Sequence, residues 1–140
     1  MNKDGPIIII EDDLDDQEIF KEIYLKLGYS NEVLFFGDGQ EALDFLYQPA
    51  ILPFLILSDI NLPKLNGFEL RNKLKIDADL AVKCIPYLFF STALNQKAVV
   101  DAYSMSVQGF FVKPTSFSEL EQTVSAIMEY WKRCAAPNNF

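Results

Sequence analysis

Phe54-Leu55-Ile56-Leu57-Ser58-Asp59-Ile60-Asn61-Leu62-Pro63 is an apolar run that ends on a carboxylate and is then stopped by a proline. Unbroken Phe, Leu and Ile read as a strand buried on both faces, the kind found inside a parallel sheet. Asp59 therefore stands at the carboxyl end of a buried strand, where open α/β sheets place their ligands. A lone Asp there can equally cap a loop or the next helix. Two further stretches repeat the pattern. Ile7-Ile8-Ile9-Ile10 runs into Glu11-Asp12-Asp13, and Gly109-Phe110-Phe111-Val112 ends on Lys113-Pro114. Three strands that deliver charge at the same end build one polar site.

The chain has 140 residues, half of them hydrophobic, enough to bury a core in one domain without metals or disulfides. Twelve basic and 20 acidic residues leave a net charge of −8, which argues against a basic surface for a nucleic acid backbone. Cys84 and Cys134 have neither C-x-x-C spacing nor a secretory context, so reduced thiols are expected. No signal pattern or run of membrane-spanning length appears, and the expectation is a soluble, cytoplasmic protein with no membrane partner. Histidine is absent altogether, which excludes a Ser-His-Asp triad, a His-ligated zinc and a phosphohistidine on this chain. Any chemistry falls to carboxylates, hydroxyls and lysine.

Between the strands, apolar residues recur at helical spacing. Ile19, Phe20, Ile23, Tyr24 and Leu27 form one stripe over 14–27, with Gly28 as the C-cap and Asp13 or Asp15 as the N-cap. A short strand over 32–36 precedes a Gly37-Asp38-Gly39 turn and a helix carrying Ala42, Leu43 and Leu46. A third helix covers 68–75, whereas 76–84 suits either a helix extension or a loop. Residues 86–91 form a strand ending in Ser91 and Thr92, and 95–105 a weak helix with Val99, Ala102 and Tyr103 inward. Phe117, Leu120, Val124, Ile127 and Trp131 mark the last helix, started by Ser116 or Ser118. The domain is expected over 1–134, with 135–140 a frayed tail.

Strands alternating with helices five times predict a doubly wound, flavodoxin-like α/β fold: a five-stranded parallel sheet in order 2-1-3-4-5 with five helices. In that order strands 1 and 3 are neighbours, so the acids Glu11, Asp12, Asp13 and Asp59 converge. Converging carboxylates raise one another's pKa and call for a cation. Oxygen-only ligation suits Mg²⁺, and an Asp beside Mg²⁺ with a lysine and a hydroxyl at hand is arranged for phosphoryl transfer.

These motifs resemble the receiver domain of two-component response regulators over about 7–131. They are Glu11-Asp12, Asp38-Gly39-Gln40-Glu41-Ala42-Leu43, Asp59-Ile60-Asn61-Leu62-Pro63-Lys64-Leu65-Asn66-Gly67, Ser91 and Lys113-Pro114. The resemblance implies that Asp59 is the phospho-acceptor, and that Glu11, Asp12, Asp59 and the backbone carbonyl of Asn61 hold Mg²⁺. It further implies that Ser91 and Phe110 act as switch residues and that Lys113 precedes a cis proline, with Asp13 a weaker ligand candidate. Thr92 competes with Ser91 for the hydroxyl role, and counting from Lys113 and Pro86 favours Ser91. The implied partners are a sensor histidine kinase or phosphotransfer protein, in a phosphorelay where the chain catalyses only its own phosphorylation and dephosphorylation.

The chain also looks like the stand-alone receivers that serve phytochrome-type and hybrid kinases. With no output domain expected after the tail, signalling falls to its own surface, as a homodimer or partner complex through the 95–105 helix, strand 5 and the last helix. Two other readings compete. A haloacid-dehalogenase-like phosphatase would want a second Asp two residues after the nucleophile, where Asn61 stands. An unphosphorylated interaction module would not need Asp59 and Lys113.

Overall fold

The computed structural model describes residues 1–92 and 95–137. In chain order its elements are β1 (Ile7–Ile10), α1 (Leu14–Leu27), β2 (Val33–Phe36), α2 (Gly39–Leu46), β3 (Leu55–Ser58), α3 (Gly67–Ile76), α4 (Ala78–Ala81), β4 (Tyr87–Ser91), α5 (Gln96–Ser104), β5 (Gly109–Val112) and α6 (Phe117–Arg133). All four strand pairings are parallel, and the sheet runs β2-β1-β3-β4-β5, the order expected.

Why this sheet carries helices on both faces is visible in β1. Side chains alternate across a strand, so four consecutive Ile residues feed two cores at once. Ile8 and Ile10 pack with Ile56, Tyr87 and Phe89 under α2, α3 and α5, whose Leu43, Leu70 and Ala102 close that layer. Ile7 and Ile9 pack with Leu55, Leu57 and Leu88 under α1 and α6, which contribute Ile23 and Ile127. Each Ile side chain taken from water contributes about 1.5–3 kcal/mol. The central strands β1, β3 and β4 are buried throughout, whereas the edge strands β2 and β5 are only partly covered.

Capping chemistry fixes where the helices begin. Asp13, not Asp15, caps α1, its carboxylate accepting from the backbone N–H groups of Asp15 and Asp16. Gly28 ends that helix at φ 77°, a conformation that costs glycine nothing. Asp38, Asn66, Asn95 and Ser116 start α2, α3, α5 and α6 in the same way.

Four expectations need correction. The sheet carries six helices among the described residues, because Asp77 both closes α3 and caps α4 by accepting from Asp79 and Leu80, and Leu80 is buried. Tyr103 does not face inward: it is 55% exposed, and Ala102 alone anchors that side of α5 deeply. The tail is not frayed from 135, since Ala136 is buried in the same cluster as Met1 and Phe54. Residues 138–140, which the tail expectation also covered, lie outside the described residues. Finally, no peptide bond among the described residues is cis, so Lys113–Pro114 is trans, the isomer that an X–Pro bond favours by about 0.5–1 kcal/mol.

Candidate functional site

The sheet ladder itself delivers the polar groups. The N–H of Glu11 donates to Phe36 O, that of Asp59 to Ile10 O and that of Lys113 to Ser91 O, each continuing the pairing one residue past a strand end. Glu11, Asp59, Ser91 and Lys113 are thus held by four strands at one edge of the sheet, on backbone too tightly bonded to drift.

Their side chains meet. Asp59 Oδ1 accepts from its neighbour Ile60 N–H at 2.6 Å and from Ser91 Oγ at 2.9 Å. Asp59 Oδ2 faces Lys113 Nζ at 3.3 Å. The same ammonium donates to Glu11 Oε1 at 2.8 Å and to Asp16 Oδ2 at 3.2 Å. Glu11 and Ser91 are buried and the Lys113 side chain is only 14% exposed, so the contacts with Glu11 and Asp59 are shielded from water, whereas Asp16 stays partly exposed.

The electrostatics follow from one cation among three acids. Burial pushes Asp59 toward its neutral form, but Lys113, Glu11, Ser91 and the Ile60 N–H together outweigh it and hold the carboxyl below its ordinary value. The adjoining Glu11 carboxyl and the nearby Lys113 likewise hold Asp16 low, against burial. Glu11 goes the other way: burial, then the adjoining Asp16 and Asp59, push it up to about 8 despite Lys113. Burial alone would lower Lys113, yet its acids raise it. At neutral pH Asp59 is an ionised, hydrogen-bonded carboxylate.

A divalent cation fits this edge. Carboxylate oxygens of Glu11, Asp12 and Asp59 lie within 4.8 Å of one another, and Asp12 is exposed and approachable. Buried Glu11 Oε2 accepts no hydrogen bond among the described residues, a costly state that a metal ion would relieve. Asp13 is not in that group, and its Oδ1 instead caps α1. Thr92 lines the adjacent cleft, but the hydroxyl on Asp59 belongs to Ser91. Phe110 sits one strand over, half-buried, its ring 5.9 Å from that of Phe89.

Asp16 is the site residue that the sequence did not reveal. It was one acid among several on the first turn of α1, and its partner Lys113 lies 97 positions away. Beside these groups a cleft of about 440 Å³ opens between α1 and α6, walled by Ile9, Ile19, Phe20, Leu57, Phe90 and Phe117. No helix among the described residues is long and apolar enough to cross a membrane.

Comparison with known proteins bears on this geometry. The family model described as response regulator receiver domain matches residues 7–125. Response regulator Rcp1 of Synechocystis sp. is 30% identical over 130 residues, covering 89% of this chain and 87% of its own length. The phosphorylated cyanobacterial phytochrome response regulator RcpA is similar in structure, with a TM-score of 0.85 and 32% identity over 95% of this chain and 98% of its own. The Mn²⁺-bound form of Rcp1 gives a TM-score of 0.83 at 29% identity, covering 95% of this chain and 99% of its own.

Proposed function

The chain belongs to the response regulator receiver domain family, and we propose that within it Asp59 accepts a phosphoryl group from a phosphohistidine of a sensor histidine kinase or phosphotransfer protein. The observation that carries this is the Asp59 carboxylate, ionised at the end of β3 with Ser91 on one oxygen and Lys113 on the other. An ionised carboxylate needs no base. Its oxygen attacks phosphorus, the O–P bond forms, and the donor leaves with the electron pair of the broken P–N bond, or of the P–O bond of a small donor such as acetyl phosphate.

Each neighbour has work to do in that transfer. Lys113 places a positive charge where the phosphoryl oxygens gather, and Ser91 offers a hydroxyl to the group once it has landed. Glu11, Asp12, Asp59 and the Asn61 carbonyl would hold Mg²⁺, which supplies charge neutralisation for those oxygens when bound. Rcp1 has been crystallised with Mn²⁺, a cation of the same hard class. The chain turns over no separate substrate and is an enzyme only toward itself.

The test is the intact mass after incubation with acetyl phosphate. An adduct is expected on the wild type with Mg²⁺, none with chelator, and none on Asp59→Asn. Asp12→Asn, which removes one carboxylate charge from the cluster, should raise the Mg²⁺ concentration needed by about tenfold or more while leaving apo stability equal or higher. An adduct on Asp59→Asn would refute the acceptor assignment, and an unchanged Mg²⁺ requirement in Asp12→Asn would remove that residue from the ligand set.

Output falls to the surface beside Phe110. On phosphorylation Ser91 turns to the new oxygens and Phe110 fills the space released next to β4, so a hydrogen bond becomes a packing change. Val100 and Tyr103 on α5, Val112 on β5 and Tyr130 on α6 are exposed and offer apolar anchors for a homodimer or a partner complex. Sedimentation of phosphorylated and unphosphorylated protein should show stronger association in the former, and Phe110→Ala should weaken that difference without stopping phosphorylation. Identical sedimentation in both states would assign the output to another face.

A further inference from the structure

Lys113 and a divalent cation would compete for the same carboxylates. Of the three acids on the ammonium, Glu11 and Asp59 also belong to the cluster with Asp12 that fits a metal ion. Two cations sharing two carboxylates repel each other across a few ångströms, and the mobile partner in that contest is the lysine side chain. Asp16 stands outside the cluster. Its Oδ2 lies 3.2 Å from Lys113 Nζ, on the α1 side of the cleft.

The backbone under Asp16 is fixed independently of any ion. Its N–H donates to the Asp13 cap at 3.1 Å, in the first turn of a fourteen-residue helix packed on α6. The Asp16–Lys113 pair therefore ties the start of α1 to the end of β5, one side of the cleft to the other. We propose that Asp16 is a positioning residue, holding the Lys113 ammonium beside the Asp59 carboxylate when a divalent cation competes with it for Glu11 and Asp59. This deepens the reading of Asp59 as a phosphoryl acceptor and rests on it. The group transfer it serves is unchanged: the O–P bond to Asp59 forms as the donor's bond to phosphorus breaks and the donor departs with the electron pair.

Amine acetylation of the folded protein, read at Lys113 by peptide mass, tests the positioning directly and without phosphorylation. The comparison uses wild type, Asp16→Asn, Asp16→Glu and Asp15→Asn, each with and without saturating Mg²⁺. Asp15 is the control because it sits on the same helical turn with no ion pair to Lys113 among the described residues. The Asp16 side chain is 41% exposed, so its amide replacement buries no unpaired group and should fold.

Lys113 should label slowly in the wild type in both conditions. In Asp16→Asn, Mg²⁺ should raise its labelling several-fold, and Asp16→Glu should restore protection. Phosphorylation by acetyl phosphate at saturating Mg²⁺ should fall about tenfold in Asp16→Asn, the scale at which residues behind a metal site act. Its half-saturating Mg²⁺ concentration should not increase. Unchanged Lys113 labelling in Asp16→Asn with Mg²⁺, or the same change in Asp15→Asn, overturns the proposal. A wild type that forms no adduct on Asp59 overturns the reading of Asp59 as phosphoryl acceptor instead, and the labelling result stands apart from it.

Discussion

Replacing Lys113 by Met should destabilise the apo protein by about 3–5 kcal/mol near neutral pH and slow modification of Asp59 by about a hundredfold or more. Met keeps the apolar stem and removes only the charge, which leaves Glu11, Asp16 and Asp59 facing one another with no counter-ion. The deficit depends on pH, and its sign can be worked out. Asp16 and Asp59 have folded values below their ordinary ones, so the stability they contribute is present above the unfolded value and lost as pH falls through the folded one.

Without the ammonium that contribution is largely gone, so the variant should lag the wild type most where these acids are ionised. The lag should narrow on acidification. Glu11 acts in the opposite sense. Its folded value is raised from 4.5 to about 8, so its stabilising proton is fully present below 4.5 and lost as pH rises through about 8. Losing Lys113 removes a group that restrains this rise and makes the protonated form more necessary still. Urea unfolding at about pH 5 and about pH 8, with and without Mg²⁺, measures this. The gap between wild type and Lys113→Met should be wider at the higher pH and should narrow when Mg²⁺ replaces the missing charge. Asp16 and Asp59 stay ionised at both values, so equal gaps would mean that Lys113 does not restrain the Glu11 carboxyl.

What the sequence made legible is what depends on neighbours along the chain. Four Ile residues ending on Glu11, and Phe-Leu-Ile ending on Asp59, identify buried parallel strands because both faces must be apolar. The order of alternation then puts their ends together. Leu14–Leu27 is read to its last residue because Gly28 takes the positive φ there. What stayed hidden depends on neighbours in space. Asp16 shares its periodicity with ordinary solvated acids, and only the fold brings Lys113 to it. Ala136 is a small residue in a short tail with no period of its own, and it is buried in a cluster with Met1 and Phe54, the other end of the chain and the residue before β3. The four-residue α4 has too few positions for a period, and its only signal was Asp77 at the cap.

Gly67 belongs to that hidden class, and Gly67→Ala should unfold at markedly lower urea, losing about 2–3 kcal/mol. The sequence puts Gly67 one residue before the helix expected over 68–75, and as the first residue of α3 it is a place where alanine ought to gain up to about 1 kcal/mol of helix propensity. The fold reverses that sign. A Cβ there would lie 2.3 Å from Asp59 O, 2.8 Å from Phe89 Cε1 and 3.0 Å from Ile60 Cα. Backbone cannot yield as a flexible side chain can, and the start of α3 is held where it is, Gly67 N–H donating to Ile60 O at 2.9 Å and Tyr87 OH donating to Gly67 O at 2.9 Å.

The atom struck is the Asp59 carbonyl oxygen, so a shift of that backbone to relieve the clash also moves the Asp59 carboxylate relative to Ser91 and Lys113. A displacement of about 1 Å in a reacting group costs on the order of a hundredfold in rate, and phosphorylation by acetyl phosphate should fall to that extent. Gly37→Ala provides the contrast, because a Cβ at Gly37 meets nothing within 4 Å and should shift stability by no more than about 0.5 kcal/mol. If Gly67→Ala unfolded at the wild-type urea concentration and still phosphorylated at the wild-type rate, the close packing of α3 against the turn after β3 would not be what holds Asp59 in place.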